Sequence, residues 1–388
     1  MITLTDRIRE QTVELAQALI RIPSHNPPGN EDRIAAFAAQ WLAACGITSE
    51  LVRLEEGRSS VVARVPGRGD GSLVVCAHLD TVTSEPERWS IPPLEARIAD
   101  DALWGLGSAD MKSGVAVGMQ LMAQLVRQET VPLCDVVLVL TADEEWGYRG
   151  AATVAESGLI ADAGFLLILE PTAGRVYAGQ KGELWIDATF TGRAAHGSMP
   201  EFGANAVLSA ARFSGRLQDA ITSLPEIAGR GRTTINIGRL HGGRQVNIVS
   251  DRADVSIDIR VVSDAHHAAV LQIIDRLGEE EARAEGTRFE RTISSYHPAI
   301  ANDGIHPLER RLHDLVVGRG NEDPACGISP YSTDAVSIVP RLGVPVAIYG
   351  PGDIALAHQP DEHIELDEIH RALDVLFALV SSDLSLES

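Results

Sequence analysis

Four short runs of the chain are apolar without interruption by charge: Leu73–Ala77, Val136–Leu140, Phe165–Leu169 and Val344–Tyr349. Runs of that length with no polar alternation read as strands buried on both faces. Helical patterns separate several of them, notably Ser113–Gln128. Near the start, residues 6–21 predict a helix that ends where Pro23 biases Ile22 away from helical geometry. A second helix is capped by Asn30, carries Ile34, Phe37, Ala38, Trp41, Leu42 and Cys45 at helical spacing, and stops at Gly46. Strands alternating with helices predict an α/β fold, a mixed and mostly parallel sheet sandwiched by helices.

The rhythm changes between about 180 and 295. Leu184–Thr191 alternates as a strand does, Ala204–Leu217 repeats as a helix does, and Thr234–Leu240 and Ala253–Val261 alternate again. Ala265–Ala284 is helical and Phe289–Ser294 closes as a strand. The order β-α-β-β-α-β predicts a split βαβ sandwich, an α+β ferredoxin-like domain over 179–295, inserted into a sheet domain made of 1–178 and 296–388. A length of 388 residues agrees with two domains, since single cores stop growing before that size.

Composition narrows the function classes. Hydrophobic residues make up 45% and charged residues 22%, which is the balance of a soluble globular protein. With 33 basic and 54 acidic residues, the formal net charge of −21 repels phosphate backbones and anionic lipid surfaces. Neither a nucleic-acid nor a membrane partner is expected. The segment Met1–Arg7 has no basic region leading into an apolar stretch, so no signal peptide is expected. Cys45, Cys76, Cys134 and Cys326 are scattered, form no metal-type pair, and suit small core positions in a reducing cytoplasm.

Parallel sheets bind ligands at the carboxyl ends of their strands. His78 and Asp80 follow the first run, Asp143, Glu144 and Glu145 the second, Glu170 the third, and His358 the fourth after a turn. A glycine loop, Gly105 to Lys112, carries Asp110 ahead of a helix. Its third glycine position is occupied by Asp110, which rules out a dinucleotide fingerprint. Taken singly, each feature has an ordinary explanation: adjacent glutamates are usually a solvated face, and a strand-end histidine is usually surface or satisfied core. Five such features at successive strand ends of one sheet point instead to a metal centre. Imidazoles and carboxylates suit zinc, and carboxylates packed this closely repel one another without a cation. Two ions use nearly all the donors if one carboxylate bridges, and two ions can share a hydroxide and polarise a carbonyl. Asp80, two residues beyond His78, is placed to accept the other ring N–H of that histidine. Of the adjacent Glu144 and Glu145, one can bind metal while the other serves as general base. Spacing alone leaves open which does which.

At this point the motifs resemble a known family. Ala77-His78-Leu79-Asp80-Thr81-Val82, Gly107-Ser108-Ala109-Asp110-Met111-Lys112-Ser113-Gly114, Thr141-Ala142-Asp143-Glu144-Glu145-Trp146-Gly147, Glu170-Pro171-Thr172 and Ala357-His358-Gln359-Pro360-Asp361-Glu362 are similar, in order and spacing, to the motifs of the acetylornithine deacetylase, succinyl-diaminopimelate desuccinylase and carboxypeptidase G family of two-zinc metallohydrolases. The last is closest to the acetylornithine deacetylase branch. The resemblance implies a zinc-exopeptidase-like catalytic domain with a lid and dimerisation domain inserted. It implies that His78, Asp110 and Glu170 hold one ion and Asp110, Glu145 and His358 the other. The ions would be Zn2+, with Co2+ or Mn2+ as substitutes. Asp80 would orient His78, and Glu144 would be the general base. Gly192-Arg193-Ala194-Ala195-His196-Gly197 resembles the lid motif, which implies a homodimer in which His196 reaches the partner's site and stabilises the oxyanion. Asn247 and Arg260 match the segment that holds the substrate carboxylate, for which a guanidinium fork is apt. Pro330-Tyr331-Ser332-Thr333-Asp334-Ala335 only loosely resembles the family's substrate loop. The expected activity is hydrolysis of a small N-acyl amino acid, with a dipeptidase or carboxypeptidase as the alternative. A non-catalytic binding homologue is disfavoured, since it would not need Glu144.

Overall fold

A computed structural model describes residues 4–129, 131–318 and 327–381. Cys326 lies outside them; the described cysteines Cys45, Cys76 and Cys134 are free thiols. The chain divides into two compact units, Met1–Gly179 with Ala301–Gly327 and Thr333–Ser388, and Gln180–Ile300 with Ile328–Ser332.

In the first unit, Ser72–His78 pairs in parallel with Asp135–Thr141 on one side and with Ala163–Pro171 on the other. Ala163–Pro171 in turn pairs in parallel with Val346–Gly350. These are the four apolar runs, and their lack of alternation has a direct cause. Leu73, Val75 and Ala77 share a core with Val117, Leu121 and Leu376 of the helices Ser113–Arg127 and Leu366–Ser381. The alternate positions Val74, Cys76 and Val137 point the other way and are equally buried. There the helices Arg149–Glu156 and Ala335–Leu342 pack on each other and contact the sheet. Each such aliphatic side chain contributes roughly 1.5–3 kcal/mol by leaving water.

Two local features depart from expectation. An antiparallel hairpin, Ser49–Glu55 with Arg58–Val65, extends the sheet beside Asp135–Thr141, where the sequence shows no apolar run long enough to announce it. The second helix begins at Asp32 and has no side-chain cap from Asn30. The residue before it, Glu31, is wholly buried and bound instead to Arg58 of the hairpin, by Nε to Oε2 at 2.8 Å and Nη2 to Oε1 at 2.5 Å.

The second unit is a four-stranded antiparallel sheet in the order Thr234–Gly242, Arg252–Val261, Gly182–Thr191, Arg288–His297. Helices Ala206–Thr222 and Asp264–Glu285 complete the β-α-β-β-α-β order of a ferredoxin-like fold. Their apolar stripes meet the strands at Leu217, Ile274, Ile257 and a triangle of Phe190, Phe213 and Phe289. Asn205 and Ser263 cap the two helices through their side-chain oxygens. Ile328–Ser332, expected with the sheet domain, groups here instead. The Lys181 amide donates to the Ser329 carbonyl at 2.9 Å.

Candidate metal centre

Parallel pairing brings the ends of Ser72–His78, Asp135–Thr141 and Ala163–Pro171 to one rim of the sheet, so His78, Glu144, Glu145 and Glu170 converge. Val346–Gly350 joins the same rim with almost no clearance. A Cβ on Gly350 would lie 2.0 Å from the Leu169 carbonyl oxygen and 2.6 Å from that of Glu170, so only glycine lets this strand pass the Glu170 backbone.

The glycine loop supplies Asp110. Gly107 has φ 78°, and a side chain there would meet Thr81 Cγ2 at 2.7 Å. The loop is fastened by Glu362. Its Oε2 accepts the Gly107 N–H at 3.0 Å, and its Oε1 accepts those of Ala109 and Asp110 at 2.8 and 3.0 Å. Burial pushes the Glu362 carboxyl up to about 7, with the charge of Asp110 adding and the N–H groups opposing. Lys112, fully buried, anchors the loop's far end by donating to the Ile22 carbonyl at 2.8 Å.

Two clusters share Asp110. In one, His78, Asp110 and Glu170 present donor atoms within 4.8 Å of one another; in the other, Asp110, Glu145 and His358 do so. His78 Nε2 lies 3.0 Å from Asp110 Oδ1 and 3.8 Å from Glu170 Oε1. His358 Nε2 lies 3.3 Å from Asp110 Oδ2 and 3.0 Å from Glu145 Oε2. Burial alone would keep His78 neutral, but the hydrogen bond to Asp110 and the charges of Glu170, Glu144 and Asp110 raise its pKa well above the usual range. Hydrogen bonds to Asp110 and Glu145 carry His358 up to about 11. Burial and the charge of Asp110 push Glu170 well above the carboxylate range. These shifts share one origin: buried carboxylates that require positive charge. A divalent cation among these oxygens and the two Nε2 lone pairs meets that requirement, and the donor set fits zinc or a neighbouring transition ion.

The partner of His78 Nδ1 differs from expectation. Its N–H donates to the backbone carbonyl of Asp80 at 2.9 Å, while the Asp80 carboxylate stands off at 3.7 Å. The tautomer is thereby set by a main-chain oxygen, which leaves Nε2 for a cation. The Asp80 carboxylate is taken up elsewhere. Its Oδ1 accepts the Glu144 N–H and its Oδ2 that of Glu145, both at 3.1 Å. Burial pushes Asp80 up to about 7, against the charge of His78. Glu144 is buried and belongs to neither cluster. Burial drives its carboxyl well above the usual range, the charge of His78 opposing and those of Glu170, Asp334 and Glu145 adding.

Several residues around these clusters received no role from the sequence. Asn26, Glu31, Arg58 and Asp143 form a buried polar layer behind the Glu144–Glu145 turn. Glu362 stood in the last motif without a role. Asp334, from the segment weakly resembling a substrate loop, is buried, with its Oδ2 accepting the Thr141 hydroxyl at 2.5 Å and lying 3.8 Å from Cys76 Sγ. That places it beneath the strands. A cavity of about 170 Å³, open to solvent, borders His358, bounded by Val82, Arg88, Trp89, Leu106 and Pro360.

The second unit holds the other candidates. His196 is exposed, and its Nδ1 lies 2.8 Å from the Ser198 hydroxyl. The next residue, Gly197, donates its N–H to the Asn247 carbonyl at 2.7 Å, so His196 and Asn247 are neighbours. Arg260 is already engaged. Its Nε and Nη2 donate to the two oxygens of Asp258 at 2.9 and 3.2 Å, and its Nη1 lies 3.2 Å from Glu183 Oε2. A substrate carboxylate would compete with those two acids. Arg244, beside Asn247 in sequence, pairs with Asp251 at 2.7 Å.

Histidines and carboxylates collected at the carboxyl rim of a helix-covered sheet, with one buried glutamate outside the ligand sets, define a class: hydrolases built around divalent cations. The profile of Peptidase family M20/M25/M40 matches residues 74–382, and the chain belongs to that family. It is 25% identical over 401 residues to a probable succinyl-diaminopimelate desuccinylase of Staphylococcus aureus, across 96% of this chain and 97% of that one. It is 29% identical over 386 residues to an acetylornithine deacetylase of Photorhabdus laumondii, across 95% and 96%. A tripeptidase of Staphylococcus aureus has the same fold, with a TM-score of 0.82 at 23% identity over 96% of this chain and 98% of that one.

Proposed function

We propose that this metallohydrolase cleaves the amide bond of a small N-acyl amino acid. One observation carries the reading: two ligand clusters share Asp110, and Glu144 lies buried beside them without belonging to either. Cations held by His78, Asp110 and Glu170, and by Asp110, Glu145 and His358, would acidify water and draw electrons from the substrate carbonyl. Glu144 takes the proton of the attacking water as the C–O bond forms, and delivers it to the amine nitrogen as the C–N bond breaks. A buried carboxyl beside the ligands that binds neither ion is free for both halves of that exchange. Asp80 holds the Glu144 and Glu145 amides and so aims both side chains.

By the family resemblance, His196 from a second copy would donate to the oxygen that gains charge. Asn247 and Arg260 would orient the substrate carboxylate. The names of the curated relatives favour an acyl group over a peptide. The fold shared with a tripeptidase supports peptide cleavage as the second reading. Free thiols at Cys45, Cys76 and Cys134 suit a reducing cytoplasm. Among the described residues no helix is long and apolar enough to cross a membrane.

The test uses zinc- and cobalt-loaded protein on acetyl, succinyl and formyl amino acids and on dipeptides. Turnover of an acylated amino acid above any dipeptide supports the reading, and the reverse order selects the peptidase. Glu144→Gln retains its metal and loses turnover by roughly 10²–10⁴-fold. Near-normal turnover in that variant removes the base assignment.

A further inference from the structure

We propose that Asn26 is a positioning residue of this site, one that locks Asp80 and the Glu144–Glu145 turn into a single arrangement; this rests on the reading of the site as a hydrolytic metal centre. Asn26 is 3% exposed, and its amide nitrogen faces two acids at once. It donates to Asp80 Oδ2 at 2.9 Å and to Asp143 Oδ1 at 3.0 Å. Those acids flank the turn. Asp80 receives the Glu144 and Glu145 amides from one side. Asp143 immediately precedes the turn at φ 68°, a left-handed conformation that costs a non-glycine residue energy and needs outside support. Its support is visible: Arg58 Nη2 lies 2.8 Å from its Oδ1 and Arg149 Nε 2.6 Å from its Oδ2.

Asn26 joins the two halves of that support. Without it, Asp80 keeps its two amide donors but loses the side chain that joins its carboxylate to that of Asp143. The chemistry of the position is specific. A buried amide offers two hydrogens and no charge. Aspartate would set a third carboxylate against two others, and lysine or arginine would add a cation beside His78. The backbone places the side chain: the Asn26 N–H donates to the Thr81 carbonyl at 2.8 Å and the Thr81 N–H to the Ser24 carbonyl at 3.0 Å. Ser24 Oγ bonds the Leu79 carbonyl at 2.8 Å. Ser24 thus ties the same two segments together without touching either acid, and separates a structural tie from a positioning one.

The experiment compares Asn26→Ala, Asn26→Ser and Ser24→Ala with the wild-type chain. Zinc affinity is read by competition with a chromophoric chelator, kinetics on the best amide substrate, and Tm by thermal melting. Asn26→Ala is expected to lose roughly 10–100-fold in kcat and in affinity for the second zinc, as loss of outer partners of metal ligands typically does, with KM changed by less than about twofold. Asn26→Ser, with one donor, falls between it and the wild type, and decides the matter if the alanine variant does not fold. Ser24→Ala lowers Tm and leaves kcat and zinc affinity unchanged. Wild-type kcat and zinc affinity in the folded Asn26 variants overturn the proposal, as does an equal loss in Ser24→Ala. If the wild-type chain binds two zinc ions but hydrolyses no amide, the hydrolytic reading falls and the zinc titration alone decides the role of Asn26.

Discussion

Replacing Glu362 by glutamine removes the fastening of the loop that carries Asp110. The wild-type carboxylate accepts three backbone N–H groups, Ala109 and Asp110 on Oε1 and Gly107 on Oε2, and the residue is 2% exposed. Glutamine keeps one of the two oxygens. Turned to serve Ala109 and Asp110, it points its NH2 at the Gly107 N–H, donor against donor. The lost bond to a charged acceptor is worth about 1.5–3 kcal/mol, and a buried donor left without a partner costs about 1–3 kcal/mol more. A total of about 2.5–6 kcal/mol follows from those two terms. The loop can shed part of that cost only by moving, and Asp110 moves with it. Because Asp110 belongs to both clusters, affinity falls at both, by tenfold for every 1.4 kcal/mol that reaches the ions. Two measurements check this: stepwise zinc titration of the stripped protein, and thermal melting with and without zinc. The variant should lose affinity in both steps and show a smaller zinc-induced rise in Tm than the wild type. Wild-type affinity in both steps would refute the role given to Glu362. Loss in one step alone would show that Asp110 does not serve both clusters.

Two other perturbations test the layers behind the site. Arg58→Met leaves the fully buried Glu31 carboxylate without its cation, while Asp143 keeps Arg149 and Asn26, so urea unfolding should show a loss of about 3–5 kcal/mol, as for other broken buried ion pairs; a loss below about 1 kcal/mol would show that the pair is not what holds the hairpin to the second helix. At the far end of the sheet, the hydrogen bond from Arg64 holds the Asp162 carboxyl below its usual range, with burial opposing. A depressed folded value means stabilisation that is present above the unfolded pKa of about 3.9 and lost as pH falls through the folded value. Arg64→Met should therefore show a shallower decline of Tm between roughly pH 5 and 3, and a Tm curve running parallel to the wild type would contradict this.

Much of the scaffold was legible because the signals behind it are local. An uninterrupted apolar run of five residues reports burial on both faces whatever covers it. Parallel pairing then sends every strand's carboxyl end to one rim, and with it the residues that follow each run. His78, Glu144, Glu145 and Glu170 were found in that way, and the β-α-β-β-α-β rhythm likewise led to the ferredoxin-like sheet order. The hairpin Ser49–Glu55 with Arg58–Val65 escaped because its outer strand alternates only weakly and its inner strand is buried through serines as well as valines.

What only the tertiary structure decided are the contacts between residues distant in sequence. Glu362 reaches Gly107 across 255 positions and Asn26 reaches Asp143 across 117, and no periodicity encodes which buried donor will face which buried acceptor. The partners of named residues were set for the same reason. Asp80 was expected to grip His78 with its carboxylate, but a main-chain carbonyl performs that task and the carboxylate holds the next strand's turn. Arg260 was expected to await a substrate carboxylate and already has two acids beside it. The sequence determined which chemical groups stand at the rim, because strand direction alone puts them there. Their partners were settled by packing, since a hydrogen bond or ion pair depends on ångström distances that exist only once the chain has folded.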